Sequence, residues 1–276
     1  MHRTFIDPLT AIELEDSVKF LDCRAALGDP AYGQRVYAEG HIAGARYLSL
    51  DDDLAAPAGD GGRHPLPDPE GLSSRLQALG LNDADQVVVY DDAGGAFAAR
   101  AWWCLRWLGH EAVAVLDGGL QAWPAPLSTE LPVIEPGDFS RRPALTRTID
   151  AGTLSTDPDA YRLVDARTEA RFRGEEEPID PVAGHIPGAM CRPFQENLGA
   201  DGRFQAQAAL AARFPAGDNV VCYCGSGVTA AHNILAMCAA GLPEPYLYAG
   251  SWSEWIRDPE RPIGTGPDPV EPAPAG

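Results

Sequence analysis

A chain of 276 residues, 45% apolar and with a formal net charge of −19, is long enough for two ordinary domains that each bury a core. The acidic balance excludes nucleic acid and anionic membrane surfaces as partners. No apolar run approaches the ~20 residues that span a bilayer, and six cysteines spread over this length do not make a disulfide framework.

From the N-terminus, residues 1–8 lack the apolar core of a secretory signal, so the cytoplasm is the expected compartment. Phe20-Leu21-Asp22-Cys23-Arg24 is the first recognisable block, followed by Gly40-His41-Ile42-Ala43-Gly44-Ala45. A Pro/Gly-rich insertion fills residues 56–67. Residues 87–90 (Val-Val-Val-Tyr) read as a strand, 96–108 as a helix and 112–116 as a second strand. That strand runs into Leu116-Asp117-Gly118-Gly119-Leu120-Gln121-Ala122-Trp123.

The same landmarks then return. Leu163-Val164-Asp165-Ala166-Arg167 matches the first block and Gly184-His185-Ile186-Pro187-Gly188-Ala189 the second. Val220-Val221-Cys222-Tyr223 matches the strand at 87–90, and Tyr248-Ala249-Gly250-Ser251-Trp252-Ser253-Glu254-Trp255 the last block. Spacings agree: Asp22 to His41 is 19 positions and Asp165 to His185 is 20; Tyr90 to Gly119 is 29 and Tyr223 to Gly250 is 27. The chain is a diverged duplication. Strands alternate with helices in each copy, so the expected fold is α/β: two tandem domains, each a parallel sheet flanked by helices. We expect domains at 1–138 and 150–262, a linker at 139–149 within a Pro-rich polar stretch, and a disordered Pro/Gly-rich tail from 263 to 276.

The richest segment is Tyr223-Cys224-Gly225-Ser226-Gly227-Val228-Thr229, between a strand and a helix at 230–240. A strand–turn–helix junction aims backbone N–H groups and the positive helix end at whatever occupies the turn. Here that is the Cys224 sulfur, and such surroundings favour a thiolate nucleophile. Gly225 and Gly227 allow the backbone to curl into an N–H nest. The other copy places Asp91 and Asp92 opposite Cys224 and Gly225. Carboxylates there repel an anion, so the first domain is expected to be catalytically silent. Cys23, Cys104 and Cys222 lie in apolar runs and read as core residues. No Cys-x-x-Cys occurs and Cys222-x-Cys224 has no second ligand pair, so neither a metal nor an organic cofactor is expected.

These motifs together resemble the tandem-domain rhodanese family, the thiosulfate and 3-mercaptopyruvate sulfurtransferases, over about residues 20–260. The resemblance implies that Cys224 accepts a sulfane sulfur from a small anionic donor as a persulfide. A cyanide or thiol acceptor, a thioredoxin-like protein among them, then removes it. The N–H nest from Gly225 through Val228 to Thr229 suits the outer sulfur, and the Ser226 and Thr229 hydroxyls suit hydrogen bonding to it; capping of the following helix is the alternative role for Thr229. The uncharged Gly225 and Ser226 are similar to the mercaptopyruvate enzymes, whereas thiosulfate enzymes usually carry basic residues there. Arg171 matches the family's donor-binding arginine, for which a planar guanidinium is well suited. A second arginine after Glu-Pro is missing: Glu177-Pro178 is followed by Ile179-Asp180. Arg173 is the expected substitute if residues 171–173 are extended, since both then face one side; surface pairing with residues 175–177 is its alternative. The resemblance also maps a proton relay onto Asp51, His64 and Ser226, with His64 as shuttle. His41 and His185 read as loop-structuring residues.

Three rivals remain. A cysteine-loop phosphatase needs an arginine where Ala230 stands, which excludes it. A redox pair of Cys222 with Cys224 and a persulfide carrier with little turnover stay open.

Overall fold

The computed structural model describes residues 1–268. In the first domain the elements run β1 (Phe5–Ile6), α1 (Pro8–Glu13), β2 (Val18–Asp22), α2 (Tyr32–Glu39), β3 (Arg46–Tyr47), α3 (Pro69–Ala78), β4 (Gln86–Tyr90), α4 (Ala98–Trp107) and β5 (Val113–Leu116). In the second they run β6 (Arg147–Thr148), α5 (Ala151–Thr156), β7 (Arg162–Asp165), α6 (Glu169–Arg173), β8 (Met190–Cys191), α7 (Gln207–Arg213), β9 (Val220–Tyr223), α8 (Ala230–Ala239), β10 (Tyr246–Leu247) and α9 (Ser251–Trp255). The sheets are ordered β1-β5-β4-β2-β3 and β6-β10-β9-β7-β8, with every pairing parallel. The two orders are the same once the second is renumbered, so the duplication read from the sequence is a duplication of topology. Val87–Tyr90 and Val220–Tyr223 are buried on both faces, which is why these strands are continuous apolar runs instead of alternating ones.

The repeated motifs are structural clusters. In each copy the arginine forks onto the preceding aspartate: Arg24 on Asp22 and Arg167 on Asp165, both at 2.6 Å. Each also donates to a loop carbonyl, Gly40 and Gly184, at 2.7 Å. The Tyr90 and Tyr223 hydroxyls accept the N–H of Ile42 and Ile186. His41 and His185 bond backbone carbonyls of Tyr37 and Phe172 through Nδ1, the loop-structuring role expected of them. A buried charge pair that also meets backbone carbonyls is satisfied at each corner, which keeps its desolvation cost tolerable.

The loops after β4 and β9 each turn backbone N–H toward a side chain, Asp91 in the first and Cys224 in the second. Asp91 is fully buried and accepts the N–H groups of Ala93, Gly95, Phe97 and Ala98 at 2.8–2.9 Å. The first domain therefore fills its own nest with a side-chain carboxylate.

The domains share one apolar core in which α4 packs on α8. Residues 139–149 are not a free tether: Phe139 and Leu145 bond backbone carbonyls of Leu81 and Arg106, while β6 is an edge of the second sheet. The tail expectation needs correction at its start. Gly264 pairs with His185, and Asp268 accepts from Arg192 and from the Cys191 N–H, so residues 263–268 are packed by main-chain and ionic contacts. Residues 269–276 lie outside the described residues.

The contrast between the two nests makes a prediction. Asp91→Ala strands four buried N–H groups and should lower stability by about 3 kcal/mol or more, whereas Cys224→Ala removes a single N–H···S contact and should cost about 1 kcal/mol. Urea unfolding of both variants checks this; equal losses would show that Asp91 does not hold its loop.

Candidate active site

Cys224 leaves the C-terminal end of β9, and the chain turns through Gly225, Ser226, Gly227, Val228 and Thr229 into α8. Gly227 has φ +79°, and a β-carbon there would stand 2.3 Å from the Ala249 carbonyl, so no other residue closes this turn. Its N–H donates to Cys224 Sγ at 3.1 Å. The start of α9 grips the loop from behind: Ser251 Oγ accepts the Cys224 N–H, and the N–H groups of Trp252 and Ser253 bond the carbonyls of Cys224 and Gly225. Ser251 has φ +54°, the one positive φ of a non-glycine residue among those described. That strain is local evidence that the residue is held in place to position the cysteine. Cys224 and Ser226 are 2% and 4% exposed, so the sulfur reaches solvent only through a cavity of about 250 Å³ lined by Arg63, Arg171, Thr229, Val228 and Phe97 among others. Thr229 precedes α8 without a side-chain capping bond, so the capping role is not what its hydroxyl does.

The Pro/Gly-rich insertion of the first domain supplies the opposite wall. The Arg63 N–H donates to Ser253 Oγ at 3.0 Å, which seats the insertion on α9. His64 Nδ1 then lies 2.7 Å from Ser226 Oγ, and Nε2 lies 3.7 Å from Asp51 Oδ1. The three residues mapped as a relay are brought together across the domain interface. Burial pushes the His64 pKa below the usual 6.5, Asp51 pulls it back up, and Arg100 and Arg63 push it down further. His64 is thus neutral at pH 7 and accepts the Ser226 hydroxyl proton at Nδ1 when its own proton sits on Nε2, facing Asp51.

Behind this wall lies Arg100 of α4, fully buried. Its guanidinium donates to the carbonyl of Gly227 at 3.1 Å and to those of Leu54, His64 and Pro65 at 3.1–3.3 Å. One side chain thereby ties the sulfur loop to the histidine loop.

Two guanidiniums line the cavity beside Cys224 and crowd Gly225. A β-carbon built on Gly225 would meet Arg63 Nη2 at 2.8 Å and the Arg171 amines at 3.4 and 3.5 Å. A side chain at Gly225 would have to push the two guanidinium ends aside. Arg171 is also clamped by Glu177 at 2.8–3.1 Å, and both arginines bond Asp180. Arg63 occupies the place that Arg173 was expected to take. Residues 169–173 are helical, closed by Gly174 at φ +79°, so residues two apart point about 200° from each other. Arg173 turns away from Cys224 and pairs with Glu169, not with residues 175–177.

Sequence reasoning missed Asp180, Glu177, Arg100 and Ser251, which depend on the fold; Arg63, beside His64, is legible in the sequence as extra positive charge, but its direction is not. Cys222 is fully buried and its thiol is pushed well up by that burial, which makes it a poor redox partner for Cys224.

The rhodanese-like domain model matches residues 9–125 and 150–258. The chain belongs to the rhodanese-like family, in a two-domain form. A curated relative from Pseudomonas aeruginosa, described as a probable 3-mercaptopyruvate sulfurtransferase, is 55% identical over 91% of this chain and 94% of its own length. One from Mycobacterium tuberculosis, a putative thiosulfate sulfurtransferase, is 41% identical over 92% and 93%. Among solved structures, 3-mercaptopyruvate sulfurtransferase from Leishmania major superposes with TM-score 0.82 at 30% identity, covering 93% of this chain and 76% of that one. SseA from Escherichia coli gives 0.78 at 30% identity, covering 91% and 100%.

The surroundings of His64 set a titration. In NMR its imidazole should titrate below 6.5; Asp51→Asn should move the midpoint further down, and Arg63→Gln should move it up, because the carboxylate favours the imidazolium and the guanidinium opposes it. A midpoint insensitive to both would mean that His64 does not face these charges in solution.

Proposed function

We propose that this chain is a sulfurtransferase with Cys224 as its sulfur-accepting nucleophile and 3-mercaptopyruvate as preferred donor. The Cys224 thiolate attacks the donor sulfur and the C–S bond breaks. Its electron pair leaves on carbon as the enolate of pyruvate, and Cys224 becomes a persulfide. The enolate takes one proton, and Ser226 with His64 moves it from the nascent persulfide S–H, leaving an anionic outer sulfur. Cyanide or a thiol, free or on a thioredoxin-like protein, then attacks that sulfur; the S–S bond breaks and its electrons return to Cys224 as thiolate. Splitting the transfer this way is covalent catalysis.

The observation that carries the reading is the 2.7 Å contact of Ser226 with His64 from the other domain. A proton relay serves a donor whose leaving group is a carbanion equivalent. Thiosulfate has no such need, since sulfite leaves without protonation. Arg171, with Gly225, Gly227 and Val228, forms the donor side of the pocket, and Arg63 is added to it. Thiosulfate is the second reading, favoured by two guanidiniums converging beside the sulfur. A cytoplasmic setting agrees with six cysteines that are all free.

Side-by-side cyanide-acceptor assays test this. The expected result is a higher kcat/KM for mercaptopyruvate than for thiosulfate, and one added sulfur on Cys224 in the intact-protein mass after donor alone. Cys224→Ser should abolish transfer. His64→Asn should lower mercaptopyruvate turnover about 10²–10⁴-fold and thiosulfate turnover far less. Equal losses with both donors would sink the relay, and full activity of Cys224→Ser would sink the whole reading.

A further inference from the structure

The two carboxylates that meet the donor-side arginines are held in different ways. Glu177 takes Nε and Nη2 of Arg171 and also accepts the N–H groups of Ile179 and Asp180, both at 3.0 Å. It is part of the frame of its own loop. Asp180 instead bridges: one oxygen faces Arg63 and the other accepts from Arg171 Nη2 at 3.2 Å. Burial, and Glu177 beside it, push the Asp180 carboxyl up, although Arg63 and Arg171 pull it down. Glu177 stays below the usual carboxylate range despite its own burial, through the Arg171 hydrogen bond and the backbone N–H groups. Of the two anions, Asp180 is the less firmly held.

The two guanidiniums that crowd Gly225 and line the cavity beside Cys224 already share one carboxylate, the group that a small 2-oxo acid would itself present to them. The Asp180 side chain is only 4% exposed, so it is packed against both arginines and not a loose surface partner. Its segment, between Pro178 and Pro181, has no regular structure, and the neighbouring Ile179 is 46% exposed at the rim of the cavity.

We propose that Asp180 is a specificity-determining residue, a resident carboxylate with which a small 2-oxo carboxylate must compete for Arg63 and Arg171 of the donor pocket. The proposal rests on the donor-site reading above. Its consequence is selectivity. An anion that offers charge alone gains little by replacing one carboxylate with another. A donor whose sulfur also reaches Cys224 adds a second contact and wins the exchange.

Steady-state kinetics with mercaptopyruvate and cyanide on the full chain test it, together with inhibition by pyruvate, which carries the carboxylate without a transferable sulfur. Asp180→Asn and Asp180→Ala should each lower the KM for mercaptopyruvate and the Ki for pyruvate by about tenfold, equivalent to 1.4 kcal/mol, with the change in KM and not in kcat. A merely structural role does not tighten an inert anion. Unchanged or raised KM and Ki overturn the proposal, as does loss of fold in both variants, because Asp180 is then a brace for the arginines. Arg171→Lys separates the two layers. A raised KM there alongside unchanged Asp180 variants retains the donor site and rejects the resident carboxylate; no effect of Arg171→Lys rejects the donor site itself.

Discussion

The packing of α4 on α8 is the contact on which the active site depends. The sulfur loop has no charged side chain of its own between Cys224 and Thr229, so its acid–base and electrostatic partners must come from elsewhere. Most come from the other domain. Arg100 translates the packing of two helices into the geometry of two loops, since it donates at once to Gly227 and to the carbonyls around His64. Hydrogen bonds from a charged donor are among the stronger ones in a folded protein, about 1.5–3 kcal/mol each. Buried among four carbonyl acceptors, this guanidinium fixes the domain interface to within a hydrogen-bond length.

The duplication gives the two copies the same turn and different occupants. Both copies make a strand–turn–helix nest, and an N–H nest needs an anion or an equivalent acceptor. Asp91 satisfies the first nest permanently and turns it into a rigid corner at the base of α4. Cys224 takes a single N–H in the second nest. The first domain lends its insertion to the second as the wall that carries Arg63 and His64.

The overall charge of −19 opposes an anionic donor, and the site answers by local concentration. Arg63 and Arg171 lie within a few ångströms of the sulfur loop, inside the ~8 Å over which physiological salt leaves charges unscreened. Glu177 and Asp180 between them pair with both guanidiniums, so neither is left as an unpaired buried cation.

The sequence by itself determined the architecture and the nucleophile. Paired landmarks with matching spacings encode two parallel sheets, because short-range periodicity and turn residues carry that information. The helices and strands expected at 87–116 and 220–248 lie where the pattern put them, trimmed by a residue or two. The Cys224 turn, Gly227 and the Asp91 counterpart in the first copy were equally legible, since each is a local property of one loop. Arg173 was misjudged because residues 169–173, read as an extended segment, form a single helical turn that sends it away from the pocket. Asp51 and His64 could be placed only through family resemblance, as they lie 162 and more positions from Ser226. The tertiary structure alone decided which arginine lines the cavity beside Cys224, what clamps it, and how Arg100 and Ser251 hold the loop. These are contacts between segments distant in sequence, and their energy depends on packing and burial, which no local pattern records.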